Sequence, residues 1–200
     1  MRKDTSDIYK VVLVGDSFVG KSSLINRLFM NKFSEQENTT VSPGLFRTKI
    51  GLPNAEIPVD IWDTAGQERF NCMVPIYARN AKGVVLVFDL SNPPTFASAK
   101  GWYEQLKQII DPSCQILICG NKEDLQNDFD IAEAAEWARK NEIPFVKVSA
   151  KSGYNVKEVF QTITQMIYDN SGEICISNSP IDDILNISEG SAKTKKKCGC

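Results

Sequence analysis

The run Gly15-Asp16-Ser17-Phe18-Val19-Gly20-Lys21-Ser22 has the residue types and spacing needed to hold a chain of phosphates. Gly15 and Gly20 allow a tight turn in which successive backbone N–H groups point inward at phosphate oxygens. Lys21 supplies charge for β- and γ-phosphates, and the Ser22 hydroxyl offers a hard oxygen to Mg²⁺. Such a loop works only between a strand and a helix. Before it, Tyr9-Lys10-Val11-Val12-Leu13-Val14 is β-branched and apolar and predicts a buried strand. After it, Leu24, Ile25, Leu28 and Phe29 recur at helical spacing and predict a helix over Ser22 to Phe33, with Ser23 in its first turn. The positive end of that helix aims at the same phosphates, so the pattern implies a site for a nucleoside di- or triphosphate.

The base is read elsewhere. Gln115-Ile116-Leu117-Ile118-Cys119 predicts a second buried strand, which runs into Gly120-Asn121-Lys122-Glu123-Asp124. The Asp124 carboxylate can accept from guanine N1–H and from its exocyclic amine. Adenine has no such pair of donors and would leave a buried carboxylate unpaired, a difference on the order of several kcal/mol. Asn121 can bridge base and loop, and the aliphatic stem of Lys122 can lie across the ring. A third strand, Phe145-Val146-Lys147-Val148, leads into Ser149-Ala150-Lys151. In an open α/β sheet all three loops share the edge beyond the carboxyl ends of the strands.

With these motifs in place the chain resembles the small GTPases of the Ras superfamily and, within them, the Rab branch. The resemblance runs from about Ile8 to Tyr168, plus the last three residues. It implies that Thr40 is the switch I threonine, completing the Mg²⁺ shell and sensing the γ-phosphate, and that Phe33 lies against the guanine. Asp63-Thr64-Ala65-Gly66-Gln67 matches the D-x-x-G-Q motif, preceded by Trp62 as in Rabs. There Asp63 would hold Mg²⁺ through water, the Gly66 amide would detect the γ-phosphate, and Gln67 would orient the attacking water. Ala150, through its N–H, and Lys151 match the third base loop. The implied ligands are GTP or GDP with Mg²⁺. The implied partners are an exchange factor, a GTPase-activating protein, effectors, and an escort protein or dissociation inhibitor.

The residues support part of this independently. Val59, Ile61 and Trp62 predict a strand that delivers Asp63 toward the phosphate loop, where a carboxylate makes an outer-sphere Mg²⁺ partner. The chain has no histidine, so no imidazole serves as a base. Phosphoryl transfer depends mainly on positioning and charge neutralisation, and an uncharged Gln67 suffices for turnover at about 10⁻⁴ s⁻¹. Gly83-Val84-Val85-Leu86-Val87-Phe88 reads as a central strand, and Ala132 to Lys140 and Val156 to Ile167 read as helices.

The expected fold is therefore one α/β G domain, a mostly parallel sheet with helices on both faces. It spans residues 8–168, after a short extension (1–7) and before a tail. A formal charge of −2, with no basic stripe interleaved with aromatics, gives no sign of nucleic acid as a partner, and the expected state is a monomer. There is neither an 18-residue apolar run nor a signal pattern, so the expectation is a chain that neither spans a membrane nor is secreted. Cys114 and Cys119 read as core thiols in a reducing compartment.

Residues 169–197 turn rich in Ser, Asn, Asp and Lys and read as a disordered tail, punctuated by Ile174, Ile176, Ile181, Ile184, Leu185 and Ile187. Lys193, Lys195, Lys196 and Lys197 then precede Cys198-Gly199-Cys200. Lys197 stands where a C-a-a-X box would need its cysteine. The C-x-C ending instead resembles Rab tails, whose two cysteines carry geranylgeranyl groups. Two lipids anchor stably where one does not, and each lysine adds about 1 kcal/mol at an anionic surface. The resemblance places such a protein on the cytosolic face of intracellular membranes, cycling with the cytosol.

Two stretches depart from the family. Val41-Ser42-Pro43-Gly44-Leu45 follows Thr40 where most Rabs have Ile-Gly-Val-Asp-Phe, which predicts a reshaped strand edge. Phe18 stands where a small residue is usual. Three readings follow: a hydrolysing membrane switch, a GTP-holding scaffold that rarely hydrolyses, and a P-loop phosphotransferase. Gln67 favours the first. The third needs a lid with catalytic arginines and an acceptor pocket, and the sequence offers neither.

Overall fold

A computed structural model describes residues 8–35, 40, 43–64, 74–125 and 130–172. Strands β1 (Tyr9–Val14), β2 (Gly44–Leu52), β3 (Ala55–Asp63), β4 (Gly83–Asp89), β5 (Gln115–Asn121) and β6 (Phe145–Lys147) form one sheet in the order β2-β3-β1-β4-β5-β6. Every pairing is parallel except β2 with β3, which run antiparallel as a hairpin at the sheet edge. Helices α1 (Lys21–Met30), α2 (Val74–Ala78), α3 (Pro94–Leu106), α4 (Ile131–Lys140) and α5 (Val156–Asn170) complete the order.

The central strands are apolar on both faces because both faces are covered. Along β1, Val11 and Leu13 face a core built with Leu24 and Ile25 of α1 and Val159, Phe160 and Ile163 of α5. Val12 and Val14 face the opposite core, with Phe96, Trp102 and Leu106 of α3 and Ala134 and Ala138 of α4. The same alternation splits β5, Leu117 and Cys119 to the first core and Ile116 and Ile118 to the second. Cys114 and Cys119 are the buried free thiols expected. Burial pushes the Cys114 thiol up to about 12, with Asp111 adding to the shift, and burial raises Cys119 further.

Two helices end elsewhere than the sequence predicts. α1 stops at Met30 rather than Phe33, because Asn31 takes a left-handed conformation (φ 50°) and returns its N–H to the Arg27 carbonyl at 3.1 Å. That turn carries Phe33 off the helix axis and onto the cleft. α5 continues three residues past Ile167, to Asn170. β2 begins at Gly44, directly after Pro43, which has no N–H to give a ladder, and Gly44 pairs with Asp63. Val41 and Ser42 lie outside the described residues, as do the N-terminal extension and the tail from residue 173 onward, with Cys198 and Cys200. No helix among the described residues is long and apolar enough to cross a membrane.

Candidate functional site

The loop from Gly15 to Gly20 joins β1 to α1 and needs its two glycines for space as well as for conformation. A Cβ on Gly15 (φ +153°) would sit 2.1 Å from the Val87 carbonyl oxygen, and one on Gly20 (φ +94°) 2.3 Å from Asn121 Nδ2. α1 then starts with no side-chain cap and no acidic residue in its first turn, so its exposed N–H groups remain available to an anion. Ser17 Oγ is buried and has no hydrogen-bond partner among the described residues, as a group built to meet a ligand would be.

Lys21 is only 5% exposed. Its ammonium donates to the Gly15 and Asp16 carbonyls at 2.8 and 2.7 Å. Burial pulls its pKa down to about 8, against the opposing pull of Asp63 and Asp16. A cation held this deep stabilises an incoming anion more than a surface lysine does.

Ser22, Thr40 and Asp63 arrive from three separate segments and meet. Ser22 donates to Asp63 Oδ2 at 2.6 Å, and Thr40 Oγ1 lies 2.6 Å from Ser22 Oγ. Since Ser22 has one proton and gives it to Asp63, Thr40 is the donor to Ser22. Asp63 reaches this point from the end of β3. Beside it, Thr64 is buried and donates to the Leu13 carbonyl of β1 at 2.6 Å.

The base side is assembled from distant segments. Asn121, 1% exposed at the end of β5, donates from Nδ2 to the Val19 carbonyl at 2.8 Å. Its Oδ1 accepts the Ala150 N–H at 3.1 Å, so one amide ties the phosphate loop to the third loop. Sequence reasoning set Asn121 between base and loop and gave the Ala150 N–H to the base; the geometry joins loop to loop through both. Lys122 adopts φ 66° and anchors its ammonium on the buried Asp89 carboxylate at 2.7 Å, which leaves its stem along the cleft wall. Asp124 accepts from Ser149 Oγ at 2.5 Å. It is exposed rather than buried, because the loop carries it to the rim of the cleft.

Ser17, Phe18, Gly20, Lys21, Ser22, Ser23, Phe33, Thr40, Asn121, Lys122, Asp124, Ala150 and Lys151 line a single cleft of about 340 Å³. Buried Val19 supports it from behind. Phe18 stands at its mouth, 71% exposed, in a left-handed conformation (φ 63°) that a side-chain-bearing residue adopts at a cost of about 1–3 kcal/mol. Gly66 and Gln67 lie outside the described residues.

A family model described as the Ras family matches residues 10–169. The chain belongs to the Ras family. As a Ras-family small GTPase it is a GTP-binding switch, and the family's general activity is GTP hydrolysis. Ras-family proteins bind GTP and GDP, typically with Mg²⁺, and work with exchange factors, activating proteins and effectors.

Several residues of this Ras-family site carried no sequence signal. Arg27 of α1 donates to the Ala150 and Lys151 carbonyls, Glu35 pairs with Lys151 at 2.8 Å, and Trp102 Nε1 donates to Asp16 Oδ1 at 3.1 Å. Their partners lie 86 to 124 residues away in sequence, beyond any local pattern.

Proposed function

We propose that the chain is a Rab-branch GTPase. It binds GTP and GDP with Mg²⁺, hydrolyses GTP slowly, and acts as a switch on the cytosolic face of intracellular membranes in vesicle traffic. The observation that carries the catalytic part is the meeting of Ser22, Thr40 and Asp63 at 2.6 Å separations, with Asp63 electrostatically coupled to Lys21. All three groups are oxygen donors, the set a hard divalent cation takes, so the residues fit Mg²⁺. Ser22 and Thr40 would hold the ion directly and Asp63 through water. When bound, the ion neutralises charge on the β- and γ-phosphates.

The chain's own residues supply the rest. Lys21 neutralises the phosphates, the loop amides orient them, and Gln67 orients the water. Thr40 couples the state of the phosphate to the segment around it. Residues on either side, Glu35 and Gly44, lead respectively to the base loop and to the β2 edge. Loss of the γ-phosphate would release that segment.

The Rab assignment rests on Trp62 before the Asp63 motif, the basic run and the Cys198-Gly199-Cys200 ending. An apolar face next to the switch segments supports effector docking. Leu45 (49% exposed) pairs in register with Trp62, which packs on Tyr77 at 5.9 Å, and Ile76 is 65% exposed on α2. Exchange factor, activating protein, effectors and the escort protein or dissociation inhibitor would be the partners, and two prenyl groups on Cys198 and Cys200 the anchor.

The test is single-turnover hydrolysis of preloaded GTP by the wild type and Gln67→Leu. A wild-type rate near 10⁻⁴ s⁻¹, on the order of tenfold slower in the variant, supports a hydrolysing switch. Tight GTP retention without hydrolysis in either protein replaces it with the scaffold reading. Incubation with a geranylgeranyl transferase and intact-mass measurement tests the tail, which should gain two prenyl masses and lose both in Cys198→Ser/Cys200→Ser.

A further inference from the structure

The third loop, Ser149 to Lys151, is held from the cleft side by Asn121 and Asp124, but two of its carbonyls face away toward α1. Arg27, six residues after Lys21 on the same helix, meets both. Its Nε donates to the Ala150 carbonyl at 2.8 Å and its Nη2 to the Lys151 carbonyl at 2.5 Å. The remaining arm, Nη1, donates to the Asn31 carbonyl at 2.9 Å and to Asn31 Oδ1 at 3.3 Å, at the turn that ends α1. Gly153 (φ +88°) passes over the aliphatic stem, where a Cβ would stand 3.6 Å from Arg27 Cδ. The guanidinium fork is thus shared between a helix end and a base-side loop, with the geometry only a planar multi-donor group supplies.

We infer that Arg27 is a positioning residue for base recognition. It touches neither the phosphate loop nor the cleft, yet it fixes the peptide planes on either side of Lys151 and, through Ala150, the N–H that Asn121 orients. Because α1 begins at the phosphates and reaches the base loop about 9 Å along its axis, Arg27 sets the distance between the two halves of the site. Removing it leaves the carbonyl of Ala150, a residue only 3% exposed, without its partner and lets the loop drift from the phosphates.

The inference rests on the guanine-nucleotide reading and is tested on the full chain by release of fluorescent GDP and by GDP and ADP affinities. Arg27→Ala should release GDP at least ~10-fold faster and lose GDP affinity by a similar factor. ADP, which the base loops do not recognise, should change less than about twofold. Arg27→Lys, able to reach one carbonyl at a time, should fall between, and it serves if the alanine variant folds poorly. A guanine-selective wild type whose variants lose GDP and ADP affinity equally, or release GDP at the wild-type rate, overturns the inference alone. A wild type that binds ADP as tightly as GDP overturns the nucleotide reading and the inference with it.

Discussion

The two ends of the cleft are built on opposite plans. The phosphate end is nearly one continuous stretch, Gly15 to Ser23, and its principal charge, Lys21, bonds to carbonyls five and six residues away. The base end gathers Asp89, Asn121 to Asp124, Ser149 to Lys151 and Arg27 from across the chain and joins them by side-chain bonds. The first is a property of a segment, whereas the second exists only when the sheet has brought four segments together. A segment fails when one residue is wrong; an assembly fails by loosening. Substitutions at the two ends should therefore differ in kind.

The largest effect belongs to the joint between them. Gly20→Ala puts a methyl 2.3 Å from Asn121 Nδ2 at a φ hostile to side chains. It should cost about 2–3 kcal/mol of stability and at least ~100-fold in GDP affinity, read by thermal unfolding and nucleotide titration. Asp124→Asn isolates the base end. It should lose about 100-fold for GDP while gaining for a xanthine nucleotide, whose 2-oxo group can accept from the new amide; an unchanged preference would remove Asp124 from base reading.

Phe18→Gly isolates the phosphate end. Relief of the left-handed backbone should raise the melting temperature by about 2–4 °C. If the ring obstructs an incoming arginine, the variant should also speed hydrolysis stimulated by a cognate activating protein, and an unchanged stimulated rate would count against that role.

The pH dependence isolates Lys21. Its folded pKa, about 8, lies below its ordinary 10.5, so the nucleotide-free fold binds fewer protons than the unfolded chain between those values. The penalty is full below about pH 8 and fades as pH rises toward 10.5, so nucleotide-free stability gains from this group across that window. Nucleotide, which restores the charged form, should take up about half a proton near pH 8, visible as a buffer-dependent calorimetric enthalpy.

The smallest effect is Glu35→Gln. An exposed pair to Lys151 is screened by solvent and contributes little, so GDP release should quicken less than ~5-fold, and high salt should abolish the difference.

This division also explains what the sequence disclosed. β1, the start of β5 and the phosphate loop were legible because a β-branched run, two glycines and a lysine act within one segment. Asn121 and Asp124 were legible as types, since a carboxylate and an amide after a buried strand state their chemistry. Their exposure and partners were not legible. The exposed position of Asp124 depends on where the loop after β5 turns, and the Ala150 N–H meets Asn121 only once β6 has docked. Nothing within its helix says that the fork of Arg27 meets a loop more than 120 residues downstream. The family resemblance puts Phe33 against the guanine, yet the helical spacing runs through it, because nothing in the sequence marks the left-handed turn at Asn31.

The Asn121 amide has a further consequence, for how the chain is made. It joins residues 102 positions apart on one side and 29 on the other: the bond to Val19 needs β1, β4 and β5 laid together, and the bond from Ala150 closes only after β6 has joined them. Loops of that span close late. A nascent chain that has emerged only as far as β5 already holds the complete phosphate motif, but not the joint that lets it grip a base. Nucleotide then adds stability only to chains that have finished, in proportion to the logarithm of its concentration over its dissociation constant. The ligand of the mature switch would thus also act as the last checkpoint of its synthesis.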